Sequence, residues 1–377
     1  MRNFFLIWII IFLALSGVSA QVTFSGILDS TVAMSIGAAD SPGFTIGIEE
    51  FANIRFQARL RESGTFFGAV NLIAAAGNFA YDANEMAGFS TPVNINSTVY
   101  FYGANYIFGF ELERLYFRLN FEHTDMDVGL FRLPFGYGQI WGPSDFLNPR
   151  NPLKPDSRPR GILGASFAWY SANELKLLGF YSAPRDPFSH IGKGSLVGFS
   201  LEKHWDKASL QALYSYETPN DGSSHGIHRA GFSVKADVKV GLYMDALYTY
   251  NHEAETELDG LSVTAGIDYS FFDGNLIVIA EYLYNGKNSS TAFDSDKNML
   301  GSGNTHNLYT GLTWRFNDFT NMNIALLSTF EDISFTPVIT LNHDIVQGVA
   351  LTISVQAPLT LDSFNGVFLS TRIRLRF

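Results

Sequence analysis

Residues Arg229–Val238 read RAGFSVKADV. Ala230, Phe232, Val234, Ala236 and Val238 alternate with Arg229, Gly231, Ser233, Lys235 and Asp237. Successive side chains of a strand point to opposite faces, so this segment predicts a strand with one apolar and one polar face. The same period of two returns along the chain. Ala52–Leu60 sets Ile54, Phe56 and Ala58 against Asn53, Arg55, Gln57 and Arg59, and Leu115–Phe121 sets apolar residues against Arg114, Tyr116, Arg118 and Asn120. Leu261–Ser270 and Val349–Gln356 repeat it. A soluble sandwich shows the same local alternation, so the connections have to separate the two classes.

Connections alternate in length. Glu62-Ser63, Ser171-Ala172, Trp205-Asp206, Phe272-Asp273 and Asn317-Asp318 are very short, whereas 35–49, 76–109, 134–160, 183–193, 218–226 and 286–304 are long. Tight turns on one rim and long loops on the other mark a closed antiparallel up-and-down transmembrane β-barrel. The all-β reading places about eighteen strands of about ten residues, each able to cross a bilayer at a tilt. Sixteen strands also fit, because the links around Asp332 and Leu359 carry weak turn signals. Composition agrees: 46% hydrophobic, 15% aromatic and 34 glycines, spread without a long apolar run after residue 20.

Met1–Ala20 holds Arg2, an apolar run from Phe4 to Leu15, and Val18-Ser19-Ala20. It reads as a secretory signal peptide cut before Gln21, leaving 21–377 as the barrel. The chain has no cysteine, so disulfides, thiolate metal sites and a lipidated cysteine are excluded. A net charge of −11 argues against nucleic acid as a partner. Val367, Leu369, Thr371, Ile373, Leu375 and Phe377 line one face of the last strand, opposite Arg372, Arg374 and Arg376. Arginines facing lipid are costly, so these three are expected to face the lumen. Tyr181, Tyr216, Tyr250, Tyr284, Phe316 and Phe377 stand at strand ends, as interfacial aromatics do.

Sorted by wall, the expected pore-lining bases near the β-barrel seam are Arg55, Arg59, Arg114, Arg118, Arg372, Arg374 and Arg376, against Asp29. The opposite wall is expected to be net acidic, with Asp125, Asp127, Asp245, Asp268 and Glu281 as the pore-lining carboxylates, joined by Glu174, Glu202 and Asp237, against Lys176, Arg229, Lys235 and Arg315. Facing walls of opposite sign would set a transverse field in a narrow pore. Interior ion pairs, such as Arg118 with Asp125 or Asp127, are the competing reading of the same residues.

One stretch is neither strand nor short turn. Arg132–Gly161 holds six of the thirteen prolines together with Tyr137, Ile140, Trp141, Phe146 and Leu147. Proline interrupts ladders and helices, while the aromatics argue against disorder. A barrel of eighteen strands is too wide for side chains alone to fill. Loop 134–160 is therefore expected to fold inward as a constriction loop, carrying Arg132, Trp141, Asp145, Arg150, Lys154, Arg158 and Arg160.

Gly129, Arg132, Pro134, Gly136 and Gly138, then Trp141-Gly142-Pro143 with Asp145, then Asn148-Pro149 and Asn151-Pro152, resemble a segment of Gram-negative outer-membrane porins. Phosphate-selective, carbohydrate-selective and alginate-export channels are among the families with this segment. The resemblance implies a passive diffusive channel in the outer membrane, narrowed by its inserted loop, and a homo-oligomer. The terminal Phe377 resembles the signal read by the barrel-assembly machinery. Expected partners are thus outer-membrane lipid, lipopolysaccharide, that machinery and small hydrophilic solutes. The resemblance implies no particular solute; the loop's own charge (Arg132, Arg150, Lys154, Arg158 and Arg160 against Asp145 and Asp156) and the arginine-rich seam give the expected mild preference for anions or neutral sugars.

Other functions find less support. The histidines (His123, His190, His204, His225, His228, His252, His306 and His343) sit in or beside turns, and none has a serine at a phospholipase-like offset. No enzyme is expected, and no cofactor or metal. The acidic run Glu253, Glu255, Glu257 and Asp259 reads as a solvated loop. A surface receptor, adhesin or glycan-assembly barrel using the long loops is the alternative.

Overall fold

The alternating segments form strands in the computed structural model, which describes residues 21–37, 43–60, 63–77, 98–103, 106–148, 161–184, 194–219, 225–250, 257–286, 305–331, 333–360 and 366–377. The first are β1 (Gln21–Ile36), β2 (Phe44–Leu60), β3 (Gly64–Gly77), β4 (Thr98–Gly103), β5 (Tyr106–Asn120) and β6 (Thr124–Phe131). Next come β7 (Ile162–Tyr170), β8 (Leu175–Ser182), β9 (Leu196–Trp205), β10 (Ala208–Glu217), β11 (Ile227–Asp237) and β12 (Gly241–Tyr250). The rest are β13 (Leu261–Phe271), β14 (Leu276–Asn285), β15 (Thr305–Asn317), β16 (Thr320–Thr329), β17 (Ser334–Val346), β18 (Val349–Gln356), β19 (Leu359–Thr360) and β20 (Val367–Arg376).

Each wall strand pairs antiparallel with its neighbours, and β20 returns to β1 from Ile27 opposite Arg376 to Ile36 opposite Val367. The barrel is closed and has 18 wall strands. Closure removes every sheet edge, which a membrane requires because hydrocarbon offers no hydrogen bonds. The seam is locked where Gly26 and Phe377 exchange backbone hydrogen bonds of 2.8 and 3.1 Å. A Cβ on Gly26 would stand 2.3 Å from the Phe377 ring and 2.8 Å from the Asn53 carbonyl, so only glycine lets the terminal ring lie there.

Two segments lie outside the count of wall strands. β19 carries the line of β18 past Pro358 to pair with Ser334 and Phe335 of β17. β4 has a different origin. β6 pairs with β5 only over Leu115–Asn120 and then leaves the wall at Phe131. β4 pairs with the same edge of β5 over Tyr106–Glu111 and so occupies the wall position that β6 vacates. The expected loops 35–49 and 76–109 are accordingly shorter than the sequence suggested. β1 runs on to Ile36, β2 starts at Phe44 and β5 at Tyr106, because outward apolar alternation continues through Phe44, Ile46 and Ile48.

The outward face is apolar around the wall, with Phe24, Phe199, Ile267, Ile339 and Ile373 exposed. An apolar exterior on a closed barrel makes this a membrane-spanning wall. Among the described residues no helix is long and apolar enough to cross a membrane. Tyr181, Tyr250, Phe316 and Phe377 are exposed near strand ends as expected. Tyr216 and Tyr284 pack against His228 and His306, at ring distances of 4.8 and 5.1 Å. Those two histidines thereby join the aromatic belt and take no part in the lumen. Residues 1–20, Glu253 and Glu255 lie outside the described residues, whereas Asp259 is buried after a short 3-10 turn begins at Glu257.

Candidate functional site

After Phe131 the chain turns into the barrel. Pro134 cannot donate to a ladder, and Gly129 takes a positive φ of 127° just before the exit. The segment Leu133–Asn148 then closes on itself. Leu133 N–H donates to Asn148 Oδ1 at 2.7 Å, and Phe135 N–H to Asp145 Oδ1 at 3.3 Å. Two successive turns, Asp145 N–H to Gly142 O and Asn148 N–H to Asp145 O, complete it. Asp145, expected in the constriction loop, is buried by this role and caps the loop from within.

Apolar contacts seat the segment on one side of the interior. Leu133 and Phe135 join Phe131, Ile162, Leu178, Phe180, Leu196 and Leu213 in a buried cluster, with Phe146 and Leu147 against it. Trp141, fully buried, packs with Leu283, Leu327, Ile140 and Tyr309. The expectation that Trp141 narrows the bore is corrected: its ring anchors the loop, because burying a large aromatic side chain is worth several kcal/mol.

Carboxylates from the wall then hold the backbone. Glu281 accepts N–H bonds from Gln139 at 3.0 Å, Ile140 at 3.0 Å and Trp141 at 2.6 Å, and the Tyr243 hydroxyl at 2.6 Å. Asp245 accepts Ser144 N–H at 3.2 Å and Ser233 Oγ at 2.7 Å. Asp268 accepts the Gln139 side-chain amide at 2.7 Å, and Gln211 accepts Gly136 N–H at 2.7 Å. Gly136 has φ of 80°, and a Cβ there would meet Asp245 Oδ2 at 2.3 Å. Tyr137 donates to Glu202 at 2.9 Å, with Lys176 on the other oxygen of Glu202 at 3.2 Å. Burial, and then the Glu202 charge, push the Tyr137 phenol up, so it stays a donor at neutral pH.

These contacts correct the expected acidic wall. Asp245 and Glu281 do point inward, yet both are fully buried beneath the loop. Asp127 is ion-paired with Arg118 by two bonds of 2.7 and 2.8 Å, and Asp125 accepts Tyr170 Oη at 3.0 Å. Asp268 remains half-buried. Carboxylates that serve as acceptors for backbone N–H groups are no longer free charge in the lumen.

The arginine wall is also less one-sided than the sequence suggested. A β-bulge on β5 shifts register between Ala69 opposite Arg114 and Val70 opposite Leu112, leaving Glu113 as the extra residue. The shift turns Glu111 and Glu113 inward. Glu113 accepts Asn53 Nδ2 at 2.6 Å and Arg132 Nη2 at 2.8 Å, and lies 3.5 Å from Arg114 Nε. Asn53 also bonds Asn71 at 2.6 Å and accepts Arg55 Nε at 2.5 Å, while Asn71 donates to Glu111 at 2.9 Å. Arg132, expected in the constriction, is thus tied to the wall at the base of the loop. Arg374 grips Asp29 through two bonds of 2.7 Å, and Arg372 donates to Thr352 at 3.4 Å. Arg55, Arg59 and Arg376 are exposed. Arg150, Lys154, Arg158 and Arg160 lie outside the described residues.

The loop segment therefore lies along the inner surface from β8 to β16, where Arg229 of β11 stacks on Phe146 at 5.0 Å, and the inner surface from β17 through β20, β1, β2 and β3 to β5 carries Arg55, Arg59, Arg114, Arg118, Arg372, Arg374 and Arg376. Solved structures with this architecture span nearly the whole chain. The fold is that of an outer-membrane porin. The porin fold is shared with Acinetobacter baumannii OccAB3 (13% identity, TM-score 0.57, covering 95% of this chain and 99% of that one). It is shared as well with the outer membrane protein opdK of Pseudomonas aeruginosa (8%, 0.58, 95% and 98%) and a BenF-like porin of Pseudomonas fluorescens Pf-5 (10%, 0.57, 95% and 99%). No family model and no curated protein matches the chain.

Proposed function

We propose that the chain is a passive outer-membrane porin for small hydrophilic solutes, with a mild preference for anions or neutral sugars. The observation that carries the reading is the seating of Leu133–Asn148 on one half of the interior, latched by Glu281 and Asp245. An unfilled eighteen-strand barrel is wide, and a loop held against one side leaves a passage bounded by the loop and the arginine-bearing wall. Exposed Arg55, Arg59 and Arg376 in that passage would attract anions, as charged linings do in channels. The preference is mild because Arg114, Arg118, Arg132 and Arg374 stand beside carboxylates. Residues 1–20 are read as the leader removed on export, and the Phe377 strand as the signal for barrel assembly.

Planar-bilayer recording tests the proposal. The purified protein is expected to insert as ohmic channels, and deletion of Gly142–Pro155 to raise conductance while the barrel still assembles. Unchanged conductance in the deletion variant would place the constriction elsewhere.

A further inference from the structure

Glu50 sits on the outward face of β2, in phase with exposed Ile48 and Ile54 and opposite in sense to buried Asn53. Apolar outward residues continue on both sides of it along the strand, Phe44 and Ile46 toward the loop end, Ala52 and Phe56 toward the short turn. Its register neighbours are Ser30 on β1 and Ala74 on β3. A carboxylate is costly on a lipid-facing wall, because hydrocarbon has no donor to offer. Ser30 Oγ donates to Glu50 Oε1 at 2.6 Å. A carboxylate can accept about four such bonds, so one hydroxyl leaves most of its capacity unused.

Around this pair the wall is indented. Ser30, Ala52 and Ala74 line, together with Leu72, Phe108 and Leu375, an open cleft of about 320 Å³. That volume is at the lower end of ligand pockets. Short side chains between long ones make a slot suited to a single flexible chain, with one acceptor on its edge. We propose that this cleft holds one acyl chain of an outer-leaflet lipid that carries a hydroxyl or amide N–H near its head, and that this donor bonds Glu50. The inference rests on the membrane reading of the barrel and is independent of any solute passing through it.

The test uses the full barrel in detergent and native mass spectrometry of retained lipid. The probes are a lipid bearing a β-hydroxytetradecanoyl chain and its match with a plain tetradecanoyl chain. Wild type is expected to retain the hydroxylated lipid about tenfold better, as one hydrogen bond to a charged group would give. Glu50→Leu is expected to erase that difference while leaving single-channel conductance unchanged. Equal retention of both lipids by wild type, or an undiminished difference in Glu50→Leu, overturns the proposal without touching the porin reading. Conversion of a wild-type oligomer to monomer by Glu50→Leu, with lipid retention unaltered, would also overturn it and make the cleft a contact between copies.

Discussion

The inner surface from β8 to β16 and the inner surface from β17 round to β5 are built from the same alternating strands, yet they meet different neighbours. The first offers apolar residues, Leu178, Phe180, Leu213, Leu283 and Leu327, with carboxylates at Glu281 and Asp245, and the loop covers them. The second offers arginines with polar partners, and among the described residues the loop meets it near its base, where Arg132 pairs with Glu113 and Leu133 and Phe135 share a cluster with Tyr116 of β5. Buried acceptors on one side match the loop's free N–H groups, which would otherwise lack partners away from water. Guanidinium groups could not play that part, since they donate only. Acid and apolar surface therefore place the loop, and what the loop leaves uncovered is basic.

The contrast can be broken most severely at Glu281. Glu281→Ala would orphan three backbone N–H groups and the Tyr243 hydroxyl, and should weaken loop seating by about 3–5 kcal/mol. Faster trypsin cleavage within 149–160 and a larger conductance would register the release. Trp141→Ala removes the second anchor at about 3 kcal/mol, the lower end for a buried aromatic. Hydrogen exchange at the amides of Gln139–Ser144 should rise in that variant while the strands stay protected. Gly136→Ala meets both a positive φ and the Asp245 carboxylate, and should cost about 1–3 kcal/mol, read as a smaller rise in the same exchange rates. On the other wall the effect on stability should nearly vanish. Arg59→Gln with Arg376→Gln is expected to change unfolding by no more than about 0.5 kcal/mol, as exposed positions do, while shifting ion selectivity.

Much of the wall is legible in the sequence. Period-two segments such as Arg229–Val238 appear as β11, and the short links fall at the tight rim. The arginine face of the last strand is inward, with Arg374 on Asp29. The β5 bulge leaves only a faint trace in the sequence. Glu111 and Glu113 share the parity of outward Leu115, and charge at apolar positions is the mark of a phase change. Loop seating left another trace, since Leu178, Phe180, Leu283 and Leu327 are apolar on strands whose opposite face is apolar too. Which carboxylate meets which amide was beyond reach, because Gln139 and Glu281 are 142 residues apart and only barrel closure brings them together. β4 was hidden for a related reason: its place in the wall exists only because β6 leaves it.

The central claim is that solutes pass between the loop and the arginine-bearing wall, and reversal potential across a salt gradient tests it most directly. With potassium chloride on both sides, wild type is predicted to reverse on the anion-selective side of zero, and Arg59→Gln with Arg376→Gln to move toward zero. Cation selectivity in wild type, or a reversal potential indifferent to those two arginines, would contradict the account.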